Sequence, residues 1–333
     1  MRAMVLAAGL GTRLRPITYT MPKPMVPVAN RPVMEHILLL LSRHGFTEVV
    51  ANLHWFPDLI EERFGDGSDY RLALSYSHEE QLLGTSGGVR NVRDFLGDSF
   101  LVISGDALTD IDLVAMREAH ESHDGIATLA TKRVQDTSQF GVAISGSDGR
   151  IQGFQEKPDP SEALSDLANC GIYMFRKEIF DFFPGPGASK AAGPGDPVGF
   201  ADWAMDVFPR LLEADVPFYS HEIDAYWNDI GDLAELRAGS VDALTGAVTV
   251  ELDGELVDGY RSGDAPVEGA LEGPVLLGAG CTIGADVRID GPSVIGDGVT
   301  IGAGSRLREV IALPGAEVPA SAVLVGAIAG WAG

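Results

Sequence analysis

The residues best suited to chemistry lie at the start of the chain. From Met4 to Pro27 it reads MVLAAGLGTRLRPITYTMPKPMVP, an apolar run that ends in Gly9 and Gly11, followed by Thr12, Arg13, Arg15 and Lys23. Two missing side chains at the end of a strand-like run let backbone amides approach a ligand, and amides with cations together suit a polyphosphate. From Met1 to Met34 the chain carries Arg2, Arg13, Arg15, Lys23 and Arg31 and no acid, although its net charge is -24. There is no GxxxxGK[ST], and Leu14 breaks a GxGxxG pattern, so neither familiar phosphate loop accounts for the segment. Prolines at 16, 22, 24 and 27 predict a long loop folded over its ligand in place of a helix.

Asp106 follows Gly105 at the end of the apolar run FLVIS, and Asp229 lies in WNDIG. Two carboxylates facing a polyphosphate offer the hard oxygens that Mg²⁺ takes beside phosphate and water, while either alone reads equally as a turn or cap residue. Of 24 basic residues only five are lysines, and Lys23 and Lys157 each precede a proline, which biases a residue to extended backbone. Lysine kept in an arginine-rich chain suggests a point charge. Lys132, Lys177 and Lys190 read as solvated surface residues. Cys170 and Cys281 are far apart and form no CxxC pair or disulfide framework, and Cys170 has no basic sequence neighbour to activate it, so it reads as a buried spacer.

The stretches LAAGLGTRLRPIT and PKPMVPVANRP resemble the signature of the sugar-1-phosphate nucleotidylyltransferases, most closely the mannose-1-phosphate guanylyltransferase branch. The resemblance implies a nucleoside triphosphate held by Leu6, Ala7, Ala8, Gly9, Gly11, Thr12, Arg13 and Lys23, with Gly84 and Thr85 of EQLLGTSGG near the nucleobase. It implies a sugar-1-phosphate at Gly141, Glu156, Lys157 and Asn169, and Mg²⁺ on Asp106 and Asp229. Arg13 and Lys23 would act catalytically at the triphosphate and Lys157, in EKP, at the sugar phosphate. Phe140 stands where the family often carries Tyr, and Ile230-Gly231-Asp232-Leu233 replaces the commoner IGTP, a change expected to matter little.

The implied reaction is attack by a sugar-1-phosphate oxygen on the α-phosphorus of the triphosphate with release of pyrophosphate. GTP with mannose-1-phosphate is the leading expectation, and glucose-1-phosphate with UTP or dTTP the alternative. A non-catalytic regulatory homologue that binds nucleotide-sugar should have lost site residues, yet Arg13, Lys23, Asp106, Lys157 and Asp229 are all present. An acyltransferase is disfavoured because the repeat region described below is short.

Strands and helices must carry these residues to one place. Helices are expected at Val33 to Arg43, Pro57 to Phe64, Thr85 or Ser86 to Leu96, from Asp110 or Asp112 to His120, Ala201 to Leu212 and Leu233 to Leu244. Strands are expected at Met4 to Ala8, Glu48 to Leu53, Arg71 to Tyr76, Phe100 to Ser104 and Tyr226 to Ile230. Their alternation predicts an α/β, Rossmann-like, mainly parallel sheet, with ligands in one cleft beyond the carboxyl ends of its strands. IATLATKRV, FGVAIS, RIQGFQEK and CGIYMFR extend it as hairpin-like strands, and the Gly/Pro-rich segment 184–197 reads as a mobile surface loop.

From Leu271 the chain repeats every six residues, with Leu277, Ile283, Ile289, Ile295, Ile301, Leu307 and Leu313 in step, often followed by Gly. This is the hexapeptide pattern of a parallel β-helix, left-handed by resemblance, and eight hexads predict fewer than three turns. The expected domains are a nucleotidyltransferase domain over 1–245, a linker over 246–270 and the β-helix over 271–333, through which a homo-oligomer is expected. The acidic balance argues against nucleic-acid and anionic-membrane partners, and the absence of a signal-peptide pattern or long apolar run predicts a cytoplasmic protein.

Overall fold

The computed structural model describes residues 1–257, 260–262 and 270–330, without side-chain detail at 255–257, 260 and 261. The chain divides into two compact units, one of Met1–Leu10, Ile37–Ala107 and Ile111–Trp227, the other of Gly11–His36, Leu108–Asp110 and Asn228–Gly333.

The first unit is built on a sheet of nine strands: β1 Arg2–Leu6, β2 Glu48–Leu53, β3 Ala73–His78, β4 Ser99–Ser104, β5 Ala127–Arg133, β6 Gly141–Ser145, β7 Ile151–Glu156, β8 Leu167–Arg176 and β9 Tyr219–Glu222. The main path runs β7-β6-β8-β4-β1-β2-β3, with β5 joining β8 to β9. Strands β4, β1, β2 and β3 are parallel, Met4 lying opposite Val50 and Val102, whereas β8 enters antiparallel to β4, so the parallel character stops there. Ala3, Met4 and Val5 are fully buried, as expected of a parallel strand covered on both faces.

Helices α1 Val33–Arg43, α2 Pro57–Phe64, α3 Gly84–Asn91, α4 Arg93–Leu96, α5 Leu113–Glu121 and α6 Phe208–Glu213 follow in chain order. Asp112, not Asp110, caps α5 by accepting from the Val114 and Ala115 amides. A left-handed turn at Gly67 and Arg71 around Ser68–Tyr70 takes the first residues expected of β3 and delays that strand. The helix expected to run to Leu96 breaks at Val92, and neither Thr85 nor Ser86 caps it. Ahead of α6, Trp203–Val207 is a π turn, because Pro209 has no N–H to return to the preceding turn. Trp203 packs at 4.5 Å on Phe175 in a core that includes Phe100, Phe208 and Phe218. Segment 184–197 lies at the surface, as expected, and is tied down at one point. The Ser189 hydroxyl donates to the buried Asp206 carboxylate at 2.7 Å and the Lys190 amide at 2.6 Å.

The second unit holds the proline-rich loop, helix α7 Leu233–Thr245 and the repeats. In the repeats, residues 270–272, 288–290, 306–308 and 323–325 stack as parallel strands on one face, with Leu271, Ile289, Leu307 and Leu324 in line. The expected count of turns is therefore too low. Leu277 faces Ile295 eighteen residues on, but Ile295 faces Ala312, so the coil has shortened by one residue and Leu313 falls out of step. That slip hides from a six-residue count the last coil, which continues to Ala329 opposite Ala312. The recurrent glycines have a steric cause: a Cβ on Gly302 would lie 2.3 Å from the Ala320 nitrogen of the next coil. Within the expected linker, Glu255–Val257 pairs antiparallel with Tyr260–Ser262, which runs beside Val275–Leu277. The rest of that linker at 258–259 and 263–269, and the last residues 331–333, lie outside the described residues.

Candidate active site

In the first unit, the chain passes from β1 outward through β2 to β3 and then returns to β4 on the other side of β1, which places a topological switch at the carboxyl end of β1. Ligands of open α/β sheets bind at such a point. Leu6, Ala7, Ala8 and Gly9 leave β1 there, and Gly105 and Asp106 leave β4 beside them. The Gly105 amide donates to the Leu6 carbonyl at 2.8 Å, and a Cβ on Gly105 would come within 2.5 Å of that oxygen. Glycine thus lets the two strand ends approach and leaves Asp106 half-buried at the turn.

The turn into α3 comes next. The Glu79 carboxylate is buried and accepts from Asn52 Nδ2 at 2.7 Å and from the Leu83 amide at 2.9 Å, while Asn52 Oδ1 accepts from the Ala7 amide at 2.9 Å. Gly84 is left-handed at φ 75°, and a Cβ there would meet the Ala201 carbonyl oxygen at 2.4 Å. Thr85 does not present a free hydroxyl. It donates to Asp202 Oδ2 at 2.7 Å and accepts from the Trp203 amide at 3.1 Å. Glu79, Asn52 and Asp202 were not singled out from the sequence. A buried acid of the kind at Glu79 has no motif of its own, and only its position ahead of the glycine turn could have suggested it.

A third corner of the first unit gathers the residues expected at a sugar phosphate. Glu156 ends β7, and a Cβ on Gly141 would lie 2.9 Å from its Oε2, so glycine at 141 gives that carboxylate room. Lys157 Nζ stands 3.6 Å from Glu156 Oε1, and both side chains are well exposed. The Lys157 backbone is left-handed at φ 46°, not extended as its proline predicts, with its amide donating to the Phe140 carbonyl at 3.1 Å. Asn169 is already engaged, its Oδ1 accepting from the Gly171 amide and its Nδ2 donating to the Tyr173 hydroxyl at 2.9 Å. Phe140 packs on Trp227 with ring centres 5.1 Å apart, an apolar contact where a tyrosine would have brought a hydroxyl. Burial pushes the Cys170 thiol well above its ordinary range, in keeping with a spacer. Lys132 is not a solvated surface residue, since its Nζ donates to the Ala225 carbonyl at 2.7 Å.

In the second unit, the loop is a string of 3-10 turns at Thr12–Leu14, Ile17–Tyr19 and Lys23–Met25. Gly11 is left-handed, and its missing Cβ would lie 2.9 Å from Lys23 Cβ, so this glycine lets the lysine pack across the loop. The Thr18 hydroxyl donates to the Gly11 carbonyl at 2.7 Å and ties the turn down. Lys23 lies in a helical turn, not the extended backbone expected before a proline, and its ammonium donates to the Asp229 carbonyl at 3.2 Å. Arg13 stands 3.9 Å from the Asp229 carboxylate, beyond direct hydrogen-bond reach.

Asp229 is held by its neighbours. Asn228 is buried and accepts from the Ile230 amide at 2.8 Å, and Ile230 is left-handed at φ 37°, a conformation that costs a β-branched residue free energy. A Cβ on Gly231 would lie 2.9 Å from Arg13 Nη1 and 3.1 Å from Asp229 Oδ1, so glycine leaves room for both charges. Asp232 has a clear task, capping α7 through the Ala234 and Glu235 amides. Burial, and then the nearby Asp229 and Asp232 charges, raise the Glu235 carboxyl above its ordinary 4.5. Among the described residues no group of three or more His, Cys, Asp or Glu could hold a metal unaided. Carboxylates supplied singly suit an ion such as Mg²⁺ that completes its shell with phosphate oxygens and water.

Residues 2–246 match the family model described as nucleotidyl transferase, and 274–309 match bacterial transferase hexapeptide (six repeats). The chain is 35% identical to a UTP–glucose-1-phosphate uridylyltransferase of Synechocystis sp., covering 87% of this chain and 76% of the relative. It is 34% identical to a mannose-1-phosphate guanylyltransferase of Mycobacterium tuberculosis, over 86% and 77%. Among solved structures, a putative glucose-1-phosphate thymidylyltransferase from Bacillus anthracis superposes with TM-score 0.62 at 24% identity, over 72% of this chain and 94% of that one, a likeness of fold.

Proposed function

The chain belongs to the sugar-1-phosphate nucleotidyltransferase family, and from that premise we propose that it transfers a guanylyl group from GTP to mannose-1-phosphate, releasing pyrophosphate. The observation that carries the nucleotidyl-transfer reading is the arrangement of Arg13, Lys23 and Asp229 around a glycine turn, which gathers two cations suited to phosphate charge. A phosphate monoester is already an anion near neutral pH, so the attacking oxygen needs no base. What remains is charge neutralisation and in-line placement.

The backbone from Leu6 to Thr12 faces the triphosphate, with Gly84 and Thr85 at the turn that borders the base. Arg13 and Lys23 neutralise the departing pyrophosphate, while Lys157 holds the incoming sugar phosphate and Gly141, Glu156 and Asn169 meet the sugar. By the family resemblance Asp106 and Asp229 are the residues that would hold Mg²⁺, whose charge would polarise phosphate oxygens of the substrate. Asp106→Asn should lower kcat about 1,000-fold with an unchanged melting temperature. Unchanged turnover would remove Asp106 from the site.

The base and sugar are tested with four triphosphates against mannose-1-phosphate and glucose-1-phosphate, followed by pyrophosphate release. GTP with mannose-1-phosphate should give the highest kcat/KM. A second reading, UTP with glucose-1-phosphate, is favoured by the Synechocystis relative and would be adopted if that pair were fastest. Absence of turnover with every pair would support a non-catalytic role. We place the reaction in the cytoplasm, to be checked by cell fractionation. Among the described residues no helix is long and apolar enough to cross a membrane. We also assign a second copy of the chain to the outer face of the β-helix, where Val323 and Val325 are 71% and 54% exposed. Light scattering on the wild type and on Val323→Glu tests it, and a monomeric wild type would contradict it.

A further inference from the structure

We propose that Glu79 and Asn52 are positioning residues that lock the end of β1 and the turn into α3 into one preformed frame for the nucleotide. The proposal rests on the reading above, in which both segments border the nucleotide. The links are three hydrogen bonds in series: Ala7 amide to Asn52 Oδ1 at 2.9 Å, Asn52 Nδ2 to Glu79 Oε1 at 2.7 Å, and Leu83 amide to Glu79 Oε2 at 2.9 Å. Both side chains are nearly inaccessible, at 3% and 6% exposure. A carboxylate so buried is costly unless fully bonded, and such networks specify a single geometry.

Two further observations fix the frame. Glu79 is held at its backbone, where its amide donates to the Leu53 carbonyl and its carbonyl lies 2.8 Å from His54 Nδ1, so the acid is registered against the end of β2. A Cβ on Gly88 would lie 2.6 Å from Glu79 Oε1 and 2.7 Å from Asn52 Nδ2, so the glycine inside α3 is what lets the pair sit beneath the helix. Hydrogen-bond polarity also dictates which residue carries the charge. Ala7 and Leu83 both present donors, so the two side chains between them must offer an acceptor to each amide and one donor facing one acceptor between themselves. Asn52 with ionised Glu79 meets that requirement, and so does the reciprocal exchange of acid and amide in N52D/E79Q. Glu79→Gln or Asn52→Asp alone leaves two donors, or two acceptors, facing each other.

The test follows from that symmetry. Glu79→Gln and Asn52→Asp singly should raise KM for the preferred triphosphate about tenfold or more, while KM for the sugar-1-phosphate stays within about twofold. The double variant N52D/E79Q should return the triphosphate KM to within about threefold of wild type. A purely structural role would lower stability without separating the two KM values, so equal changes in both, or a double variant no better than the singles, would overturn the proposal. Hydrogen exchange on the wild type decides independently of how the variants fold. The Ala7 and Leu83 amides should exchange slowly before any nucleotide is added, and fast exchange would overturn the preformed frame. If instead GTP or UTP with Mg²⁺ protected neither residues 6–9 nor 84–88, it is the nucleotide assignment of those segments that would fall.

Discussion

Lys23-Pro24 and Lys157-Pro158 are the same dipeptide put to different uses. Lys23 sits on a 3-10 turn, packs across Gly11 and donates to the Asp229 carbonyl, so its charge is held at one point of a constrained loop. Lys157 takes a left-handed backbone at the end of β7, with an exposed side chain beside an exposed Glu156. A left-handed non-glycine residue costs about 1–2 kcal/mol, and such strain persists where the surroundings over-determine it. The difference teaches that one lysine is fixed in advance and the other is displayed from a strained corner, and on the roles proposed above the fixed charge would meet the triphosphate and the displayed one the sugar phosphate.

The largest expected effect is at the fixed charge. Lys23→Ala should lower kcat/KM by about 1,000-fold, because a preorganised cation at developing phosphate charge is hard to replace, and steady-state pyrophosphate release would show it. At the displayed charge, Lys157→Ala should cost about 100-fold, mainly as a higher KM for the sugar-1-phosphate. A smaller change disturbs the loop without removing any charge. Gly231→Ala places a Cβ 2.9 Å from Arg13 Nη1, the movable end of a side chain, so folding should survive while kcat falls about tenfold through a displaced guanidinium.

The smallest effect concerns the acid behind Asp229. The Glu235 carboxyl is raised above 4.5 by burial first and by Asp229 and Asp232 next, so the folded state favours its protonated form. Its stabilising contribution is therefore complete below pH 4.5 and is lost as the pH rises through the raised folded value. Glu235→Gln should raise the melting temperature by about 1–2 °C at pH 8 and give no gain below pH 4.5, as scanning calorimetry at several pH values would show.

What could be read from the sequence was what local pattern controls. Val33–Arg43 and Glu48–Leu53 match their expected bounds because apolar periodicity and a closing glycine specify them. That a loop and not a helix follows Gly9 and Gly11 could be read from the prolines at 16, 22, 24 and 27. Proline bias misled at both Lys-Pro sites, since tertiary packing at Lys23 and the junction after β7 at Lys157 override a preference worth little by itself. The Glu79–Asn52 link was invisible because two polar residues 27 apart carry no periodicity, and only the parallel strand order brings them together. The last β-helix coil was hidden by one missing residue, although the stacking it preserves is the same.

The most direct test of this division of labour is a pair of KM measurements on each of two variants, with the triphosphate and the sugar-1-phosphate titrated separately against Lys23→Ala and Lys157→Ala. A crossed result is expected, with the triphosphate KM rising in the first and the sugar-1-phosphate KM in the second. If Lys157→Ala raised the triphosphate KM and left the sugar-1-phosphate KM alone, the assignment of the two lysines would be contradicted.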